Sequence, residues 1–220
     1  MTFHPFFCLK KKENWEKATL ALVTPEQTKT IEKEGIAVNL KKFIDTEYFY
    51  KTDNFIHPQG KIKERVAQFE RLYSYEVFHE YQKDEIINFY NQWRDQKERA
   101  DSALFYQESD ELFFFCLDNL EKYEIRQIYI EANGKLIGLA WGVEHPSKNW
   151  VGIHMKTDYS YKGLSRFLQK KRAELFEKHE IFSLGTSCHE DGLKTYKQEL
   201  RPIYMKDYYY LSTGEKNGKN

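Results

Sequence analysis

Apolar positions recur in two rhythms along this chain, and the change from one to the other marks its elements. The run from Ala18 to Val23 has the density of a strand. Thr24 and Pro25 then start a helix, because threonine caps the first turn and proline there needs no amide partner. Glu47 to Tyr50 reads as a short aromatic strand and Thr52 to Pro58 as a connector. From Lys61 to about Arg71, Ile62, Val66 and Phe69 fall on one helical face with basic residues on the other. Tyr75 to Phe78 is a strand, and Ile86, Ile87, Tyr90 and Trp93 mark a helix from about Lys83 to Lys97. The apolar run Leu112 to Leu117, within 108–123, is open to reading as a buried strand, but its length and flanking charges favour a helix.

Beyond Tyr123 the period falls to two. Ile125 to Glu131 and Lys135 to Val143 make a hairpin around Asn133 and Gly134, a pair suited to the positive φ angles of a two-residue turn. Next come a strand (150–155), a helix (163–178), a strand (181–186), a helix (191–199) and a strand (203–210). Such alternation predicts an α/β (α+β) fold with a mixed, partly parallel central sheet and helices on both faces. The expected division is an N-terminal extension over 1–46, a domain over 47–212 and a disordered tail over 213–220.

Composition narrows the classes. The 40% hydrophobic and 16% aromatic content is ample for a packed core in 220 residues. Lys plus Arg and Asp plus Glu both total 34, so a nucleic-acid or membrane partner needs a local patch rather than net charge. The three cysteines, Cys8, Cys116 and Cys188, have neither disulfide-framework nor zinc spacing, and a reducing cytoplasm is the expected setting. Lys10, Lys11 and Lys12 follow a short apolar run, the reverse of signal-peptide order. No stretch approaches the roughly 20 apolar residues of a membrane helix.

Candidate chemistry gathers in the last third. The strand from Trp150 to Met155 leads through Tyr161 and Lys162 into a helix beginning at Gly163 and Leu164. Unpaired amides and the dipole at a helix start attract anions, so backbone at Gly163 and Leu164 is expected to hold a phosphate, with exposed strand amides at Ile153 and Met155 and the corner from Tyr161 binding the same donor. Lys162, Arg166, Lys170 and Arg172 add positive charge, although a solvated face accounts for Lys170, Lys171 and Arg172. Glu144, His145 and His154 lie on or beside central strands, where a base would meet an acceptor. Strand alternation places Gly152 and His154 on one face and Val151 and Ile153 on the other. His189, Glu190 and Asp191 are explained by capping. No metal-ligand spacing, Ser-His-Asp order or Walker loop is present.

The element order resembles the GNAT acyltransferase fold. Glu47 to Asp53, Gly60 and Lys61 with their basic helix, Asn133 to Lys135, Tyr161 to Leu164, Gly192 with Leu193, and Arg201 with Pro202 together resemble the phosphatidylglycerol lysyltransferase C-terminal domain family. That resemblance, from about Glu47 to Leu211, implies relatives of the FemABX group, which move an aminoacyl group from tRNA to a lipid or peptidoglycan amine or hydroxyl. It implies aminoacyl-tRNA or acyl-CoA as donor substrate, with no permanently bound cofactor. The acceptor is then an amine on a small molecule, lipid headgroup or peptide. Tyr196 is the implied acid for the leaving group, with His154 or Glu144 as base. Residues 1–46 resemble part of a first GNAT-like half, which packs within the chain or, in a homodimer, against a second copy. An acetyl-CoA-dependent N-acetyltransferase and a non-catalytic binding module are the alternatives; of the usual CoA loop only Gly163 is present.

Overall fold

The computed structural model describes residues 19–98, 106–145, 149–188 and 190–214. Phe49–Leu184 forms one compact unit, and the flanking segments, up to Tyr48 and from Gly185, form another. In chain order the elements are β1 (Thr19–Val23), α1 (Pro25–Lys33), β2 (Ala37–Lys51), α2 (Asp53–Ile56), α3 (Gly60–Leu72), β3 (Glu76–Phe78), α4 (Lys83–Glu98) and α5 (Tyr106–Asp118). They continue with β4 (Arg126–Ala132), β5 (Lys135–His145), β6 (Asn149–Thr157), α6 (Leu164–Glu174), β7 (Ile181–Thr186), α7 (Asp191–Glu199) and β8 (Tyr204–Gly214).

In the smaller unit β1 runs antiparallel to β8, with Leu20 opposite Leu211. Thr24 caps α1 reciprocally with Gln27, satisfying two orphan amides of the first turn. Val23, Ile31 and Leu211 form the core there. The described part of the N-terminal stretch therefore packs on β8 of its own chain; residues 1–18, with Cys8 and the lysine run, lie outside the described residues.

In the larger unit the strand order is β7-β6-β5-β4-β3. β3, β4, β5 and β6 are antiparallel neighbours, and β6 and β7 are parallel. Asn133 and Gly134 turn the β4–β5 hairpin, both at positive φ. One sheet face carries α4 and α5, where Tyr90, Phe113 and Trp141 stack with ring centroids 3.8 and 4.8 Å apart. Residues 112–117 are helical, as their flanking charges predict, with Phe113, Cys116 and Leu117 buried and Leu112 and Phe115 exposed. The other face carries α3 and α6 through Val66, Phe69, Leu164, Phe167 and Leu168.

Two differences from the sequence reading have simple causes. β2 begins at Ala37, ten residues before the aromatic run, because the exposed stretch Asn39–Phe43 shows no alternation. The connector after Lys51 contains the short helix α2, whose Phe55 is buried edge-on against Tyr50 and Phe182.

Candidate functional site

The site is built on β6. Its partner positions on β5 run Ala140 to Met155 and Trp141 to His154, then jump to Gly142 and Gly152. Ile153 is thus an extra residue, a β-bulge that bends the strand and locally breaks the ladder. On the opposite edge Trp150 and Val151 pair with Phe182 and Ser183 of β7, and the register goes no further along β6 among the described residues. The backbone of Ile153 therefore lies outside both ladders.

The bulge overturns the expectation that Gly152 and His154 share a face. Gly152 looks toward α6, where a Cβ would come within 2.7 Å of the Arg172 guanidinium. The His154 ring instead meets Phe113 and Trp141 edge-on, at 5.4 and 5.5 Å, on the α4 and α5 side. Ile153 packs on that same side, and Met155 packs with the α3 and α6 cluster.

His154 is 6% exposed, and its Nε2 has no hydrogen-bond partner. Burial first, then the charge of Lys156, lower its pKa to about 3, against a hydrogen bond with the Leu112 backbone. The ring is neutral in the fold near pH 7, whereas an unfolded histidine titrates near 6.5. A proton is thus taken up on unfolding, and stability falls as pH drops from about 6.5 toward about 3. Between pH 6.5 and 5 this group should remove about 2 kcal/mol. Chemical denaturation of His154→Leu across that interval should be flatter by that amount; equal slopes in the two proteins would refute a neutral buried imidazole.

Glu144 pairs with Trp150 at the end of β5, about 10 Å along the strand from Trp141, so the structure does not bring it to His154. Its Oε1 accepts from Arg126 Nη2 at 2.5 Å and lies 3.3 Å from His179 Nε2. Tyr196 is half-buried on α7 of the smaller unit. In that unit Asp45 accepts hydrogen bonds from Thr46 N and from Ser187 Oγ at 2.7 and 3.0 Å, and Lys197 donates to the Thr186 carbonyl. Burial works to raise the Asp45 pKa, but these bonds and others from Thr186 and Cys188 hold it below the usual carboxylate range. His189 lies outside the described residues.

At the start of α6, Gly163 adopts φ +87°, and a Cβ there would lie 2.2 Å from the Arg65 carbonyl oxygen of α3. The Lys162 amide donates to the Tyr73 hydroxyl, and the Leu164 amide to the Tyr161 carbonyl. The Tyr161 ring packs on Tyr73 at 4.9 Å, Leu164 is fully buried, Lys162 is exposed and Arg166 half-buried. This corner packs against α3 at the Arg65 carbonyl.

The residue that sequence reasoning placed on a solvated face is buried. Arg172 is 2% exposed, and its Nη1 donates to the carbonyls of Trp141 and His154 at 3.2 and 3.1 Å. Its Nη2 donates to Oε1 of Gln169, itself 1% exposed, whose Nε2 has no partner. The signal was present in the spacing: Arg172 continues the apolar stripe of Leu164 and Leu168 at intervals of one turn. Among the described residues no group of three His, Cys, Asp or Glu is placed to hold a metal ion, and no helix is long and apolar enough to cross a membrane.

With a central strand between antiparallel and parallel neighbours and helices on both faces, the fold is GNAT-like. Residues 3–209 match the family described as phosphatidylglycerol lysyltransferase, C-terminal, and the chain belongs to that family. The structure is similar to a conserved protein of unknown function from Bacteroides thetaiotaomicron VPI-5482, at TM-score 0.82 and 15% identity, covering 89% of this chain and 69% of that one. It is similar to L-PGS from Bacillus licheniformis, at TM-score 0.60 and 15% identity, covering 90% and 68%. FemX matches at TM-score 0.63 and 8% identity, covering 89% and 72%. None of the curated proteins matches in sequence.

Proposed function

We propose that this chain transfers an acyl or aminoacyl group from a phosphate-bearing donor to an amine or hydroxyl acceptor, with aminoacyl-tRNA favoured over acyl-CoA. The observation that carries the reading is the bulge at Ile153, where backbone outside both ladders is available to polarise a donor carbonyl. The acceptor adds to that carbonyl and gives up its N–H or O–H proton, the oxyanion collapses, the bond to the donor oxygen or sulfur breaks, and that proton passes to the leaving atom, directly or through water. With His154 buried and neutral and Glu144 held by Arg126 and His179, the larger unit favours rate enhancement by placement and electrostatics over a dedicated base.

Two features favour tRNA. The α6 corner that would cradle a CoA pyrophosphate is occupied by the Arg65 carbonyl, and two of its amides are engaged. A shallow groove along α3 presents Lys61, Arg65 and Arg71 with Gln68, donors suited to a phosphate backbone, interrupted by Glu64. Lysyl-tRNA and phosphatidylglycerol, taken from the family's description, are the first donor and acceptor to try.

Thermal-shift titration with uncharged tRNA, CoA and acetyl-CoA tests this. We expect stabilisation by tRNA that weakens roughly 40-fold in affinity between about 50 and 200 mM salt, as for three phosphates neutralised by Lys61, Arg65 and Arg71. Stabilisation by CoA at both salts would replace this reading with an N-acetyltransferase, and silence from all three ligands with a binding module.

A further inference from the structure

The Arg172 guanidinium lies against a glycine in the bulged strand, and its hydrogen bonds reach both strands flanking the irregularity. Nη1 bridges the carbonyls of Trp141 on β5 and His154 on β6, the last regular pair before Ile153. A side chain at position 152 would occupy the guanidinium's place, since its Cβ would meet Cζ and Nη1 at 2.7 Å. Gln169 receives the other arm of the fork from the preceding turn of the same helix. A planar group with donors in fixed directions suits three such acceptors, and guanidinium tolerates burial better than an ammonium because it is weakly hydrated. We propose that Arg172 is a positioning residue: through the gap left by Gly152 it grips the bulge of β6 and holds Ile153 outside the ladder.

An apolar side chain at 172 would pack in the same space with less desolvation, so a buried charge here is poorly explained by stability alone. Without the fork, β6 is free to slip toward a regular register, and slippage by one residue turns the following side chains to the opposite face. The inference rests on the transferase reading for its catalytic consequence but not for the grip itself.

The test compares wild type with Arg172→Met, Arg172→Lys and the milder Gly152→Ala. Amide hydrogen exchange is followed over residues 149–157, with 126–132 as internal reference. Single-turnover transfer from lysyl-tRNA to phosphatidylglycerol vesicles is measured at saturating donor. We expect exchange at 152–155 to rise at least about tenfold while the reference stays unchanged. Transfer should fall roughly 100-fold with the tRNA Kd within about twofold, since a displacement near 1 Å is enough for such a loss. Arg172→Lys should behave like Arg172→Met, because charge without the fork bridges nothing. Unchanged exchange in all three variants, full transfer by Arg172→Lys, or a Kd that weakens in step with the rate would each overturn the proposal. A wild type that transfers nothing, with tRNA and CoA both silent, sinks the transferase reading and the catalytic role together. The exchange result then still decides the grip.

Discussion

Gly163→Ala should destabilise the larger unit by about 2 to 5 kcal/mol and lower its melting temperature by roughly 5 to 15 °C. Two costs add at this position. Its φ of +87° is a left-handed conformation that a side chain resists, at about 1 to 3 kcal/mol. The new Cβ would also stand 2.2 Å from the Arg65 carbonyl oxygen and 3.2 Å from the Phe69 amide nitrogen, both backbone atoms that no rotamer change can move. Relief requires α3 and α6 to part, loosening the Phe69–Phe167 contact at 4.7 Å. Gly134→Ala is the matched control, because its φ is +71° but nothing lies within 4 Å of the added carbon. Thermal denaturation that found the two substitutions equally mild would mean that α3 does not press on the α6 start.

Trp150→Ala should cost about 3 to 5 kcal/mol, the range for a fully buried aromatic. The indole is 0% exposed and lies between Phe176 and Phe182, with centroids at 4.5 and 4.2 Å and planes within 8° and 10°. Its Nε1 donates to Thr52 Oγ1 at 3.0 Å, and Thr52 is itself 1% exposed. Trp150→Phe keeps most of the stack but strips the hydroxyl of that donor. It should lose about 1 to 2 kcal/mol, and combined with Thr52→Val should lose less than the two single changes added together. Urea midpoints for the four proteins check this. Strict additivity would show that the hydrogen bond contributes nothing to the fold.

Elements with local causes were readable from the sequence. Asn133 and Gly134 announced the hairpin because that turn needs positive φ wherever it occurs, and Ile86, Tyr90 and Trp93 marked α4 because one face of a helix must be covered. The alternation of strands and helices supplied the fold class and the resemblance its GNAT-like form, and the spatial arrangement bears out both. Features set by distant partners were not readable. The first part of β2 is exposed from Asn39 to Phe43, the apolar Leu40 and Phe43 included, so its strand character comes from pairing rather than pattern. Alternation assumes an unbroken ladder, and nothing around Ile153 signals the extra residue that sends Gly152 and His154 to opposite faces. Asp45 and Ser187 stand 142 positions apart in sequence, beyond any local rule. Arg172 was legible in part: its helical spacing points inward while its charge points to the surface, and burial follows the spacing.

The single surplus residue in β6 also works like a reading frame. On its C-terminal side Met155 answers to one helical layer, on its N-terminal side Gly152 answers to the same layer, and both conditions hold only because one position is skipped between them. Forcing Ile153 into the ladder would leave a strand of unbroken alternation that satisfies one half and inverts the other. Length changes in this protein thus belong at the hairpin tip, where Gly134 faces open space. In the middle of β6 a further inserted residue is a shift that no later residue can undo.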